Sequence, residues 1–173
     1  MNFSDIFKQS SGHAAFSPDC TLLASAVSFR VVIRDASNLE VVHIWKCLDE
    51  VNFLEWSPDS SLLVVILKKR NLIQILNIDD TNWKCKLDFA AISIGEVKWA
   101  PDSRHLITID ELGVRLQIWS LVNKTVNVIS DVKGLKKGVS FFNDRIAILQ
   151  QKMSDTERNQ LDDYVLVLQY RVC

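Results

Sequence analysis

The sequence predicts an all-β protein made of repeated four-stranded antiparallel sheets, and two observations carry that prediction. Phe16-Ser17-Pro18-Asp19 returns as Trp56-Ser57-Pro58-Asp59 and again as Trp99-Ala100-Pro101-Asp102, at steps of 40 and 43 residues. A fixed period in this range belongs to chains assembled from stacked copies of one supersecondary unit. Within each copy four short apolar segments recur, and four strands in about 42 residues make one blade of a β-propeller. A helical solenoid of the same period would need apolar spacing of three and four over a dozen residues, and no run of that length occurs.

The first segment leads into the repeated phrase: Ala14 to Phe16, Val51 to Trp56, and Glu96 to Trp99. Its rough alternation of apolar and polar residues suits a half-buried strand. The Ser-Pro-Asp that follows is turn chemistry, because proline presets its own φ and aspartate caps a turn through its side chain. The second segment is Leu22 to Ser25, Leu62 to Val65 and His105 to Thr108. These runs are nearly continuous in apolar character, as in a central strand covered on both faces. The third is Val31 to Asp35, Ile73 to Asn77 and Leu116 to Ser120, rich in β-branched residues. Its closing pair reads Arg-Asp, Leu-Asn and Trp-Ser, a degenerate form of the Trp-Asp dipeptide of WD repeats. The fourth is Glu40 to Trp45, Trp83 to Leu87 and Thr125 to Ile129, expected to be a short, polar outer edge that resists aggregation.

A worn fourth copy follows. Val139 to Asp144 stands in the place of the phrase, Arg145 to Leu149 supplies the second segment, and Tyr164 to Leu168 the third. Between them, 150–163 reads as a long polar surface loop. The expected organisation is a partial propeller over 1–173 with blades at 12–46, 50–88, 94–130 and 137–173, about three and three-quarter blades in all. Propellers carry about 4–8 blades, so the expectation is a truncated product, half of a longer propeller, or a ring completed by a partner or second copy. The uncharged run Leu62 to Leu67 would aggregate if left bare.

Composition narrows function more than it defines it. A formal net charge of −1 provides no strong field for nucleic acid or an anionic membrane. The apolar run Leu62 to Leu67 is far short of a bilayer span, and the start Met1-Asn2-Phe3-Ser4-Asp5 shows no secretory pattern. A cytoplasmic location is therefore expected. Cys20, Cys47, Cys85 and Cys173 are widely spaced without a Cys-x-x-Cys pair, which reads as reduced thiols and no metal site. No Gly-x-Ser-x-Gly, phosphate loop or His-Glu-x-x-His occurs. No catalytic residue, cofactor, metal or small-molecule substrate is expected.

Aspartates that recur once per copy serve turns, so Pro18, Asp19, Pro58, Asp59, Pro101 and Asp102 are read as structural. Asp144 would be the fourth. His105 reads as a satisfied structural histidine, and Gly12-His13 sits too close to Phe16 for the usual Gly-His place of a WD repeat. Candidate partner contacts are Lys68, Lys69 and Arg70, a basic cluster after a central strand, with Lys133, Lys136 and Lys137 as a second cluster. Trp45 and Trp83, in outer strands, are candidate exposed anchors.

The ordered set Met1-Asn2-Phe3-Ser4, Phe16-Ser17-Pro18-Asp19, Arg34-Asp35, Cys47-Leu48-Asp49, Glu55-Trp56-Ser57, Lys69-Arg70, Trp83-Lys84-Cys85-Lys86 and Ile118-Trp119-Ser120-Leu121 resembles the amino-terminal part of the WRAP-type WD-repeat proteins of centrosomes and spindle poles. The similarity runs from residue 1 to about 130 and continues weakly through Asp163-Tyr164-Val165. The resemblance implies a non-enzymatic propeller in the cytoplasm, concentrated at centrosomes or spindle poles. It implies a coiled-coil anchoring factor as partner and roles in microtubule anchoring, spindle organisation and cilium assembly. The alternative is a generic WD adaptor of another complex, such as a ubiquitin ligase or an RNA-processing assembly, because fold alone does not select a function. A propeller enzyme would require a cluster of His, Asp or Glu that the repeat turns do not offer.

Overall fold

The computed structural model describes residues 6–7, 9, 13–89, 93–130, 139–142, 145–151 and 164–171, with side chains described as far as residue 130. The expected loop within 150–163, the lysines 133, 136 and 137, Gly12 and Asp144 fall largely or wholly outside these residues. The chain divides into two compact units, 1–91 and 92–173.

The first unit holds two four-stranded antiparallel sheets. Sheet one is β1 (Ala14–Phe16), β2 (Leu22–Val27), β3 (Arg30–Asp35) and β4 (Val41–Lys46). Sheet two is β5 (Phe53–Trp56), β6 (Leu62–Leu67), β7 (Leu72–Asn77) and β8 (Lys84–Asp88). The second unit holds a four-stranded sheet of β9 (Ile94–Trp99), β10 (His105–Asp110), β11 (Leu116–Ser120) and β12 (Thr125–Ile129). It also holds a three-stranded sheet of β13 (Val139–Phe142), β14 (Arg145–Gln151) and β15 (Tyr164–Arg171). In every sheet the strands are neighbours in the order of the chain. In the first three sheets each strand pairs with the next through a short connection, so local turns set the register.

That register repeats. Phe16 stands opposite Leu23, Trp56 opposite Leu63 and Trp99 opposite Leu106. Leu22 pairs with Asp35, Leu62 with Asn77 and His105 with Ser120. The first three sheets therefore superimpose position by position, and differences between equivalent residues report differences of environment. Two bulges separate them, one of them between Ile33 and Arg34 where β3 slips against β4. Gly95 lies where β9 slips against β10, and a Cβ there would sit 2.6 Å from the Asp110 carbonyl oxygen, so glycine permits the close approach.

In the first unit, β1 lies beside β5 and the two sheets pack face to face. Sheet one offers Ala24, Ala26, Val31, Ile33 and Trp45, and sheet two answers with Leu54, Trp56, Leu63, Val65, Leu67 and Leu76. Small residues on one side receive large ones on the other. Each fully buried Leu or Ile side chain contributes about 1.5–3 kcal/mol by its removal from water. All six residues of β6 are buried, which answers the aggregation hazard of the Leu62 to Leu67 run.

Two expectations about strands need correction. Outer strand β4 is six residues long, and Val41, Val42 and Ile44 are exposed on it. Val126 and Val128 are exposed on β12. The short, polar edge describes only β8, where Lys84, Lys86 and Asp88 face solvent. Strand β2 also departs from a doubly covered strand, because only Ala24 and Ala26 on its sheet-two side are fully buried.

Candidate interaction surface

The repeated phrase builds the same turn three times. Cys20, Ser60 and Ser103 follow the aspartate and adopt left-handed backbone, with φ of 60°, 63° and 58°. Their N–H groups donate back to the carbonyls of Ser17, Ser57 and Ala100 at 2.8, 3.0 and 3.0 Å. Asp19 Oδ1 accepts from the Ser17 hydroxyl at 2.5 Å and from the Thr21 N–H at 3.2 Å. Asp59 Oδ1 accepts from the Ser57 hydroxyl at 2.6 Å and the Ser61 N–H at 3.1 Å. In these two copies the serine hydroxyl also accepts the N–H that opens the next strand, Leu22 at 3.0 Å and Leu62 at 2.9 Å.

Ala100 has no hydroxyl, and the third turn is rewired. Asp102 Oδ1 takes the N–H groups of Arg104 at 2.9 Å and His105 at 3.1 Å, while Oδ2 faces His105 Nδ1 at 2.5 Å. His105 Nε2 is buried with no hydrogen-bond partner among the described residues, so one ring nitrogen, not both, is satisfied. The Ser17 hydroxyl, then the Thr21 N–H, hold the Asp19 carboxyl below its ordinary 3.8. For Asp102 burial pushes upward, and the bonds from Arg104 and His105 outweigh it to leave the value lowered. These carboxylates are spent on local backbone. Among the described residues no group of three or more His, Cys, Asp or Glu side chains stands ready to hold a metal. Pro18, Pro58 and Pro101 occupy the exposed first corner of each turn.

Trp45 is not an exposed anchor. It is 5% exposed and belongs to the packed interface between sheets one and two, because its place in β4 points inward opposite Val31. Trp83 is half-buried and precedes β8 in a turn closed by its N–H to the Asp80 carbonyl at 3.1 Å. Lys68–Arg70 form one exposed 3-10 turn, ended by Asn71 in left-handed conformation. Two of the three charges are answered inside the chain. Lys69 Nζ lies 2.8 Å from Glu50 and Arg70 Nε 3.1 Å from Asp49. Such exposed pairs contribute little to stability, but they locally neutralise the cluster that the sequence offered as a docking patch.

The surface that sequence reading missed is the other side of sheet one. Trp56 in sheet two is 6% exposed and donates its indole N–H to the Ala15 carbonyl of sheet one at 2.9 Å. Phe16, its equivalent in sheet one, is 59% exposed, and Ile44 on the same side is 58% exposed. Arg34 shares that side, donates to the Leu39 carbonyl at 3.0 Å and carries Phe7 over its guanidinium, 4.0 Å from the ring centroid. The signal was available in the sequence. Leu63, Val65, Leu72 and Leu76 of sheet two become Leu23, Ser25, Arg30 and Arg34 at the same register positions of sheet one.

No protein-family profile matches the chain. It is 35% identical over 167 residues to the mouse (Mus musculus) WD repeat-containing protein WRAP73, a match covering 96% of this chain and 35% of that relative. The chain is similar along nearly all of its length to a WD-repeat protein of the WRAP type. It spans about a third of that relative's length. Solved structures agree on the fold. U3-55K and the RRP9 WD40 repeats each give a TM-score of 0.60 at 10% identity, over 80% of this chain and 45% and 44% of theirs. The dihydro-heme d1 dehydrogenase NirN, in complex with DHE, gives 0.61 at 19% identity over 82% of this chain and 32% of its own. These likenesses support an all-β fold of WD-repeat propeller sheets.

In this WD-repeat chain the second member of each degenerate WD pair still does the work of an aspartate. Asp35 Oδ1 accepts the N–H groups of Ser37 at 2.8 Å and Asn38 at 3.3 Å. Asn77 Oδ1 accepts those of Asp79 at 2.9 Å and Asp80 at 3.2 Å. Ser120 Oγ accepts that of Asn123 at 3.3 Å. All three cap the turn into the outer strand. The first member has diverged in role. Trp119 donates its indole N–H to Thr108 Oγ1 at 3.1 Å, whereas Arg34 and Leu76 hold that place in sheets one and two.

Proposed function

We propose that the chain is a non-catalytic interaction module of the centrosome and spindle pole, acting in microtubule anchoring, spindle organisation and cilium assembly through protein partners, a coiled-coil anchoring factor among them. The observation that carries this reading is the 35% identity to a WRAP-type relative along 96% of the chain. The site chemistry is consistent with it. Every carboxylate described in the repeat turns is engaged by neighbouring backbone or hydroxyl groups, and large apolar side chains such as Phe16 and Ile44 stand exposed on sheet one. WD-repeat relatives generally serve as scaffolds, and binding energy on such surfaces comes from a few buried apolar anchors.

The test is localisation of the fluorescently tagged 173-residue chain in dividing and ciliated cells. Paired perinuclear foci coincident with a centriole marker, moving to the poles at mitosis, are expected. A diffuse cytoplasmic signal with no enrichment at the poles would overturn the reading.

A further inference from the structure

The turn from the third strand into the outer strand is built alike in sheets one and two, with one exchange of charge. Asp35 opens it in sheet one and Asn77 in sheet two. Each takes through Oδ1 the N–H two residues on, that of Ser37 at 2.8 Å and that of Asp79 at 2.9 Å. Sheet two thus sets a carboxylate beside a neutral amide. Sheet one sets a neutral hydroxyl beside a carboxylate, and the Ser37 hydroxyl donates to Asp35 Oδ1 at 2.5 Å. That bond, then the Ser37 N–H, hold the Asp35 carboxyl below its ordinary 3.8, so it is charged at neutral pH. Neither turn carries two negative groups at these positions.

Ser37 also differs from the serines of the repeated phrase. Ser17 and Ser57 precede prolines but are buried, out of reach of a modifying enzyme. Ser37 is exposed. Among the described serines and threonines only Ser37 and Ser93 combine exposure with a carboxylate three positions on. For Ser93 that carboxylate, Glu96, is tied to Lys98 at 3.0 Å. For Ser37 it is Glu40, which accepts from the neutral Asn38 amide at 3.3 Å.

We infer that Ser37 is a phosphorylation site for an acid-directed protein kinase, and that its phosphoryl group loosens the start of β4 by facing the Asp35 carboxylate. The kinase class follows from Asp35 and Glu40 on either side of the acceptor, which a basic substrate groove attracts. In the transfer an O–P bond forms at Ser37 Oγ as the bond from the γ-phosphorus of ATP to ADP breaks, and the hydroxyl proton passes to the kinase's base. The product sets about −1.5 to −2 of charge beside a carboxylate and has lost the donor that faced it. Repulsion then turns Asp35 away from the N–H groups of Ser37 and Asn38 that it caps. The same turn holds the head of β4, because the Leu39 N–H donates to the Asp35 carbonyl and the Asp35 N–H to the Glu40 carbonyl, each at 2.9 Å. Trp45, near the far end of β4, stays packed against sheet two, so the change is confined to the first part of the strand. This inference does not rest on the cellular role proposed above.

The experiment treats the purified 173-residue chain with casein kinase II and ATP, and treats the Ser37→Ala chain alike as the reference for phosphorylation elsewhere. Peptide mapping by mass spectrometry is expected to find a phosphoryl group on Ser37, and Glu40→Gln to slow its arrival about tenfold. Hydrogen exchange over residues 40–44 is expected to quicken about fivefold or more against the reference, with β6 unchanged. Asp35→Asn reproduces the Asn77 arrangement of sheet two, so the same phosphoryl group is expected to leave exchange unaltered in that variant. No phosphoryl group on Ser37, a rate indifferent to Glu40→Gln, unchanged exchange over 40–44, or equal quickening in Asp35→Asn would each overturn the inference.

Discussion

Sheets one and two share a register and differ in what covers equivalent sides. In sheet two, Trp56, Leu63, Val65 and Leu76 are buried against a neighbour. In sheet one the equivalent Phe16, Leu23, Ser25 and Arg34 are wholly or partly open to solvent. The turn chemistry of the two sheets is nevertheless nearly identical, down to the serine hydroxyl that accepts the next strand's N–H. Local backbone needs are thus met the same way in these two copies, while the composition of a face tracks its neighbour. A side open to solvent among the described residues tolerates Ser25 and Arg34 because water solvates them, whereas the same residues in sheet two would be desolvated at a cost of about 1–3 kcal/mol or more.

The largest expected effect tests that contrast directly. Trp56→Ala removes a buried side chain and its bond to Ala15, and is expected to cost about 3–5 kcal/mol in urea unfolding. Phe16→Ala, measured on dilute chain, is expected to cost less than about 1 kcal/mol. Equal losses would mean that Phe16 is covered in solution. Next is an exchange of side chains. Val65→Ser, which gives sheet two the residue of sheet one, is expected to destabilise by about 1–3 kcal/mol, and Ser25→Val to be neutral or stabilising. A matching loss in both would break the comparison.

Smaller effects probe the features the sheets share. Asp59→Ala removes the acceptor for the Ser61 N–H and is expected to cost about 1 kcal/mol, seen as a lower urea midpoint at constant slope. Acid titration follows. Asp19 and Asp35, through hydroxyl and backbone bonds, and Asp49, mainly through the Glu50 N–H, are held below 3.8 in the folded chain. The unfolded chain therefore binds more protons in acid, so their contribution is complete above about pH 5 and is lost as pH falls through 3.8 and below. The thermal midpoint is expected to decline over that window. Cys47, whose thiol burial pushes up to about 11 despite nearby Lys84, is expected to resist alkylation at neutral pH while exposed Cys20 reacts. Last, Lys69→Ala and Arg70→Ala are expected to leave the urea midpoint unchanged within error, because both ion pairs lie in solvent.

Strand positions were legible because hairpin sheets are specified by short-range patterns. The phrase Ser-Pro-Asp marks a turn by its own hydrogen-bonding groups, and the apolar runs on either side locate the strands to within a few residues. The outer strands and Trp45 were misread for a different reason. The sequence Val41-Val42-His43-Ile44-Trp45 alternates, but alternation alone does not say which side meets another sheet. Lys68–Arg70 likewise read as a basic patch, because Glu50 and Asp49, 19 and 21 residues from Lys69 and Arg70 along the chain, come beside it only in the folded chain.

By itself the sequence determined the repeat, its four strands, and the turns that join them, since each depends on atoms within a few residues of one another. Tertiary structure alone decided which apolar faces are covered: Trp56 buried and Phe16 bare, Trp45 inside and Ile44 outside. Burial depends on what lies across a gap of about 10 Å between packed sheets, and no local pattern encodes the presence of that neighbour.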